Sequence, residues 1–133
     1  MTNKKEHSQP KTFGPYSPLR RAGSLYFTSG QVGFNANTNT VDKNITQQTI
    51  SALDNLAQTL QTQGLTLNDV VKTTVYLTNI NDFEAMNKVY VDYFEPPRPA
   101  RSTVAVQSLP KVSAKVPLFV EIEAVATKGV DHD

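Results

Sequence analysis

Apolar residues recur at helical spacing at Ile50, Leu53, Leu56, Ala57 and Leu60, and this period predicts an amphipathic helix. It opens near Asn44, where Asn44 with Gln47 three residues later makes a capping-box pattern, and Gly64 supplies its stop. A second helix is read from Phe83, Met86, Tyr90, Tyr93 and Phe94. Asn81 with Glu84 repeats the capping pattern, and Pro96, Pro97 and Pro99 end the helix. Strands are read where β-branched, aromatic and hydroxyl side chains cluster: Ser24 to Ser29, Val70 to Leu77, Arg101 to Gln107 and Leu118 to Thr127. Turn-rich stretches separate them. Phe13 to Pro18 is one, and Asn35 to Thr40 is an Asn/Thr cluster. Gly30-Gln31-Val32-Gly33 has two glycines, which let backbone approach something closely, and Ser108 to Pro117 is a loop with two lysines. The order is β-β-α-β-α-β-β, with no repeat and no low-complexity tract. It predicts an α+β domain in which two helices cover one face of a single sheet.

Side chains alternate between the faces of a strand. Val120, Ile122, Ala124 and Ala126 form an apolar stripe that suits the helix-covered face, while Phe119, Glu121, Glu123 and Val125 share the other. In the preceding strand Arg101, Thr103 and Ala105 share one face, and Ser102, Val104 and Val106 the other. We place Arg101 and Thr103 together with Glu121 and Glu123 on the face the helices leave open. That face is too apolar for open solvent and too charged for a closed monomer core. It predicts a homo-oligomer with polar pockets at its seams. A fixed cation and a fixed carboxylate on rigid strands could hold a small carboxylic acid and activate a water beside it.

A chain of 133 residues is expected to form one domain. We divide it into a polar N-terminal tail over 1–12, a domain over 13–128 and a C-terminal tail over 129–133. Charged residues at 19% and hydrophobic ones at 38% argue against disorder, and a net charge of +1 gives little steering toward nucleic acid or an anionic membrane. No apolar run approaches the length of a membrane span, and Met1 to Lys11 lacks the apolar core of a signal peptide, so a cytoplasmic address is expected. The absence of cysteine excludes disulfides and thiolate nucleophiles. His7 and His132 lie in the tails, without the rigid support a catalytic histidine needs. Good transition-metal sites are therefore scarce. Acid–base chemistry falls to Asp, Glu, Lys, Tyr or bound water.

Six pieces of the chain, in order from about Phe13 to Thr127, resemble the reactive intermediate deaminase (Rid, also YjgF) family. They are Gly14-Pro15-Tyr16-Ser17, Ser29-Gly30-Gln31, Val71 to Leu77, Asn81-Asp82-Phe83 with Asn87 and Tyr90, Pro99-Ala100-Arg101-Ser102, and Glu121-Ile122-Glu123-Ala124. The resemblance implies a chorismate-mutase-like fold. It also implies a homotrimer whose sheets build a central barrel with clefts between neighbours. The implied activity is hydrolysis of 2-imino acids, derived from enamines such as 2-aminoacrylate, to 2-oxo acids and ammonia, with no cofactor or metal. On this reading Arg101 clamps the substrate carboxylate and Glu121 holds and polarises the attacking water. Tyr16, Ser29 and Thr103 line the pocket, the Gly30 backbone approaches the ligand, and Asn87 and Tyr90 form the cleft wall. Three departures from the family pattern bear on the preferred imine: Pro18, Thr103 in place of a frequent cysteine, and a longer segment over 112–118.

Other roles stand beside these. Arg101 could be half of a structural salt bridge with Glu121 or Glu123, and Glu121 could belong to an intersubunit ion pair. Tyr16 could be a packed aromatic, and Ser29 and Gln31 could cap a turn. Phe83, Met86 and Tyr93 are read as core, and Lys111 and Lys115 as solvated loop charges. Two further functions compete: a non-catalytic module that binds a small carboxylate or associates with a metabolic enzyme, and a ribonuclease. The near-neutral charge weighs against the ribonuclease.

Overall fold

Val120–Thr127 alternates buried and half-buried residues along its whole length, and this strand is the middle of the sheet. The computed structural model describes residues 11–113 and 115–129. In chain order its elements are β1 (Leu19–Ala22), β2 (Leu25–Thr28), β3 (Gln31–Val32), β4 (Phe34–Asn35), β5 (Thr40–Val41), α1 (Ile45–Gln61), β6 (Val70–Leu77), α2 (Phe83–Tyr93), β7 (Ala100–Ala105) and β8 (Val120–Thr127). The main sheet runs β1-β2-β8-β6-β7, with β3 added to β8, and β4 and β5 form a separate small hairpin. All pairs are antiparallel except β6 and β7, which are parallel and joined through α2. The fold is mixed α+β, with both helices on one side of the sheet.

The expected stripe of Val120, Ile122, Ala124 and Ala126 is buried under the helices, with Val75 and Leu77 of β6 beside it. Leu53, Leu56 and Leu60 of α1 and Met86, Val89 and Tyr90 of α2 close the core. Each fully buried Leu contributes about 1.5–3 kcal/mol relative to exposure. The stripe on α1 is rotated from the expected one: Gln48, Thr49 and Thr59 are fully buried, while Ile50 and Ala57 sit on its shoulder. Gln48 is held by satisfied polar bonds. Its Nε2 donates to the carbonyls of Asp42 and Pro117 at 2.9 Å each, and its Oε1 accepts from the Phe119 amide at 2.7 Å. A polar side chain therefore pins the start of β8 to α1, which hydropathy does not show.

The cap expected at Asn44 forms, with its side chain accepting from the Gln47 amide at 2.8 Å. Gly64 adopts φ +73°, and the next residue, Leu65, donates back to the Leu60 carbonyl at 3.1 Å. The cap expected at Asn81 does not form. A short 3₁₀ turn, Ile80–Asp82, precedes α2 and moves the capping role upstream to Asn79, whose side chain accepts from the Asn81 amide. Two further corrections concern strands. Leu19–Ala22, with its two arginines, pairs as a hairpin with β2 around Gly23 at φ +63°. The Asn/Thr cluster folds as the β4–β5 hairpin, with Asn35 accepting from the amides of Asn37 and Thr38. Most of the N-terminal tail, His7, and residues 130–133 with His132 lie outside the described residues. Among the described residues no helix is long and apolar enough to cross a membrane.

Candidate active site

The ladder between β2 and β8 stops at Phe27 opposite Val125 and resumes through β3 with Gln31 opposite Ile122. In the gap the Thr28 hydroxyl accepts the Ala124 amide at 3.0 Å. Ser29 and Gly30 are thereby lifted off the ladder, and Gly30 rests on the Glu121 side chain. A Cβ on Gly30 would lie 2.6 Å from Glu121 Cγ and closer still to its carboxylate. Glycine is what permits this approach. The clash falls on a flexible side chain, so Gly30→Ala is expected to fold normally while displacing the Glu121 carboxylate. A shift of about 1 Å in a reacting group costs on the order of 100-fold in turnover. Steady-state rates alongside a melting curve check this expectation.

Glu121 opens into a cleft of about 780 Å³ lined by Tyr16, Ser29, Gly30, Phe13 and Phe34, with Lys111 at its wall. Burial first, and the neighbouring Glu123 second, raise the Glu121 carboxyl above the ordinary carboxylate value. Ser29 donates its hydroxyl to the Ser17 carbonyl at 2.5 Å and its amide to the Pro18 carbonyl at 2.9 Å. The expected pocket residue is therefore also the tether of the Gly-Pro-Tyr segment. Tyr16 is 46% exposed, and its hydroxyl accepts from the Phe13 amide at 3.1 Å. Gln31 donates to the Ser29 carbonyl, the local role expected of it.

Arg101 is elsewhere. In the β6–β7 register Arg101, Thr103 and Ala105 stand opposite Thr73, Val75 and Leu77, all three of which are fully buried beneath the helices. Cross-strand neighbours share a face. Arg101 and Thr103 therefore point to the helix side, whereas Glu121 and Glu123, opposite Tyr76 and Thr74, point to the open side. The expectation that all four share one face is wrong, and so is a salt bridge between Arg101 and either glutamate within one chain. The reason is that β7 is an edge strand with Arg101, Thr103 and Ala105 on one parity and Ala100, Ser102 and Val104 on the other. Its pattern does not say which parity the helices cover.

The guanidinium carbon of Arg101 lies 4.6 Å from the centre of the Tyr90 ring and 5.5 Å from that of Phe83, and Nη1 is 4.0 Å from Met86 Sδ. None of these contacts is with a carboxylate. The Tyr90 hydroxyl shares a 2.7 Å hydrogen bond with Thr73 Oγ1, and burial raises its pKa. Beside them Asn87 Oδ1 and Thr103 Oγ1 are buried with no hydrogen-bond partner. Leaving such an atom unpaired costs about 1–3 kcal/mol. Of the expected site residues, Tyr16, Ser29, Gly30 and Glu121 are thus together in one place, and Asn87, Tyr90, Arg101 and Thr103 in another. Phe83 and Met86, read as core, also touch Arg101. Phe83 is 37% exposed and is not core. Helical spacing puts it in line with Met86 and Tyr90, and nothing in that spacing separates a core stripe from one that meets a cation.

The open face also exposes Leu25, Phe27 and Val104. Among the described residues no group of three or more His, Cys, Asp or Glu side chains could hold a metal ion.

A family model described as endoribonuclease L-PSP matches residues 6–128. A RutC family protein of Pyrococcus horikoshii is 43% identical over 120 residues, covering 90% of this chain and 91% of that protein. A 2-iminobutanoate/2-iminopropanoate deaminase of Dermatophagoides farinae is 38% identical over 117 residues, covering 87% and 88%. The crystal structure of RidA from the Antarctic bacterium Psychrobacter sp. superposes with a TM-score of 0.83 at 34% identity, covering 91% of this chain and 94% of that one.

Proposed function

Since the chain belongs to the reactive intermediate deaminase (Rid, or YjgF) family, we propose that it hydrolyses 2-imino acids to 2-oxo acids and ammonia at sites between its subunits. The observation that carries this reading is the separation of the two half-sites. A cation with no carboxylate partner among the described residues and a carboxylate of raised pKa lie on opposite faces of one sheet. One chain cannot bring both to one small ligand; two copies can. The surfaces involved differ, so the contact is heterologous, the kind that forms a ring when its rotation closes. The family resemblance makes that ring a trimer. Exposed Leu25, Phe27 and Val104 supply apolar area for the contact.

In the composite site Arg101 takes the substrate carboxylate in its fork, a geometry lysine lacks. Glu121 accepts a proton from water as the water oxygen bonds to C2 of the protonated imine and the C=N electrons move to nitrogen. The product of this step is a carbinolamine. Glu121 then returns the proton to the amino nitrogen, the C–N bond breaks, and loss of the hydroxyl proton leaves the 2-oxo acid and ammonia. The raised proton affinity of Glu121 favours the first transfer. Asn87 and Thr103 form the wall of this site around Arg101.

Serine dehydratase releases 2-aminoacrylate, and pyruvate appearance is followed with and without this protein. Pyruvate is expected to form faster with it, and sedimentation equilibrium at micromolar concentration is expected to show a trimer. Tight 2-oxo acid binding with no acceleration would instead make the protein a carboxylate-binding module. A monodisperse monomer would remove the composite site.

A further inference from the structure

Arg101 is half-buried against helix α2, yet its contacts are two aromatic rings and a thioether. A buried cation ordinarily has a carboxylate partner. A carboxylate here would occupy the same guanidinium fork that a carboxylate ligand needs. An aromatic face attracts the cation through its quadrupole and uses none of the N–H donors. The two rings come from positions 83 and 90 on one side of α2, and Met86 lies between them in sequence. The Tyr90 ring is locked from behind, because its hydroxyl is bonded to fully buried Thr73, the residue opposite Arg101 in the ladder. It also packs on Phe94, with ring centres 4.6 Å apart. Phe83 is held less tightly and stands at the rim.

We infer that Phe83 and Tyr90 are positioning residues whose ring faces take the place of a counter-carboxylate for Arg101, with Thr73 fixing the Tyr90 ring, so that the guanidinium is held in place with its fork open to a carboxylate ligand, apart from the long contact of Nη1 with Met86 Sδ. This rests on the reading of Arg101 as a carboxylate clamp. The cradle adds to that reading in two ways. It explains why Phe83 remains at the surface despite its place in an apolar stripe. It also explains why a buried threonine–tyrosine pair lies directly behind the clamp.

The test replaces Phe83 with phenylalanines carrying increasing numbers of fluorines, which weaken the ring quadrupole while nearly preserving size. Pyruvate is the probe, and its Kd is measured by calorimetry on the intact protein. Kd is expected to rise stepwise with fluorination, reaching about 3- to 30-fold for the fully fluorinated ring. Phe83→Leu should match the fully fluorinated variant and Phe83→Tyr should restore binding. Thr73→Val, which frees the Tyr90 hydroxyl, should weaken binding in the same direction, with KM carrying more of the loss than kcat. A flat Kd across the fluorinated series, with Phe83→Leu equal to wild type, would overturn the cradle. A second measurement does not depend on any ligand. Ring currents should move the Arg101 side-chain proton resonances upfield in the free protein, and Phe83→Leu should reduce that shift. Ordinary Arg101 resonances in the wild type would overturn the cradle. Failure of the wild type to bind pyruvate would instead remove the deaminase reading, while the Arg101 resonances still decide the cradle.

Discussion

Arg101→Ala is expected to leave a folded protein that has lost nearly all deaminase activity. Truncating one partner of a buried, hydrogen-bonded charge pair costs about 2–5 kcal/mol, which at about 1.4 kcal/mol per tenfold is roughly 30- to 4,000-fold in kcat/KM. The fold should survive because among the described residues no carboxylate is left behind unpaired; the groups uncovered are Tyr90, Phe83 and Met86. Arg101→Lys should fail nearly as badly, since an ammonium offers neither the planar fork nor the same stacking on the rings. Near-normal turnover by a folded Arg101→Lys protein would argue against the bidentate clamp. The separation of the half-sites adds a sharper consequence. Each composite site takes its arginine from one subunit and its glutamate from the next. Refolding a one-to-one mixture of Arg101→Ala and Glu121→Gln chains should therefore rebuild intact sites at about a quarter of all interfaces. Activity returning toward about a quarter of wild type, from two inactive parents, is the result expected of shared sites. A mixture that stays inactive would place both residues in one subunit's site.

Glu121→Gln is expected to separate binding from turnover. Glutamine keeps the size and an acceptor oxygen but cannot take a proton from water. Loss of a general base typically costs about 100- to 10,000-fold in kcat. The low end is expected here, because imines already hydrolyse readily in water and the barrier to be lowered is modest. Affinity for a 2-oxo acid should change little. The pH profile gives an independent check. Burial and Glu123 raise the Glu121 pKa, so the base form is lost as pH falls through a window above the ordinary carboxylate range. Wild-type kcat should fall with acid in that window, and the limb should vanish in Glu121→Gln. Stability follows the same sign. A carboxyl whose folded pKa exceeds its unfolded one binds its proton more tightly when folded. Its ionisation therefore subtracts stability as pH rises from the unfolded to the folded value. At neutral pH the glutamine variant should accordingly melt no lower than wild type. A structural ion pair would give the opposite result, with melting temperature and oligomer stability falling together with activity.

Several features were legible in the residues alone. The spacing of Leu53, Leu56 and Leu60, the cap at Asn44 and the stop at Gly64 depend on interactions within a few residues, and each is present. The stripe of Val120, Ile122, Ala124 and Ala126 was legible for the same reason, because alternation is a property of one strand. The close approach at Gly30 was signalled by the glycine, though not that its partner would be Glu121. The failures are of another kind. The cap at Asn81 gave way to Asn79 once a 3₁₀ turn intervened. Gln48 is buried because Asp42, Pro117 and Phe119, up to 71 residues away, satisfy its amide. Arg101 faces the helices because Thr73, on another strand, sets the register of β7. Which side chains alternate along a strand is decided within it, by the geometry of the extended chain. Which of its two faces meets the helices is decided by pairing with strands and helices distant in sequence, and no local pattern in β7 encodes that phase. That phase puts Arg101 and Glu121 on opposite sides of one sheet, and so makes a second copy of the chain necessary for the proposed site.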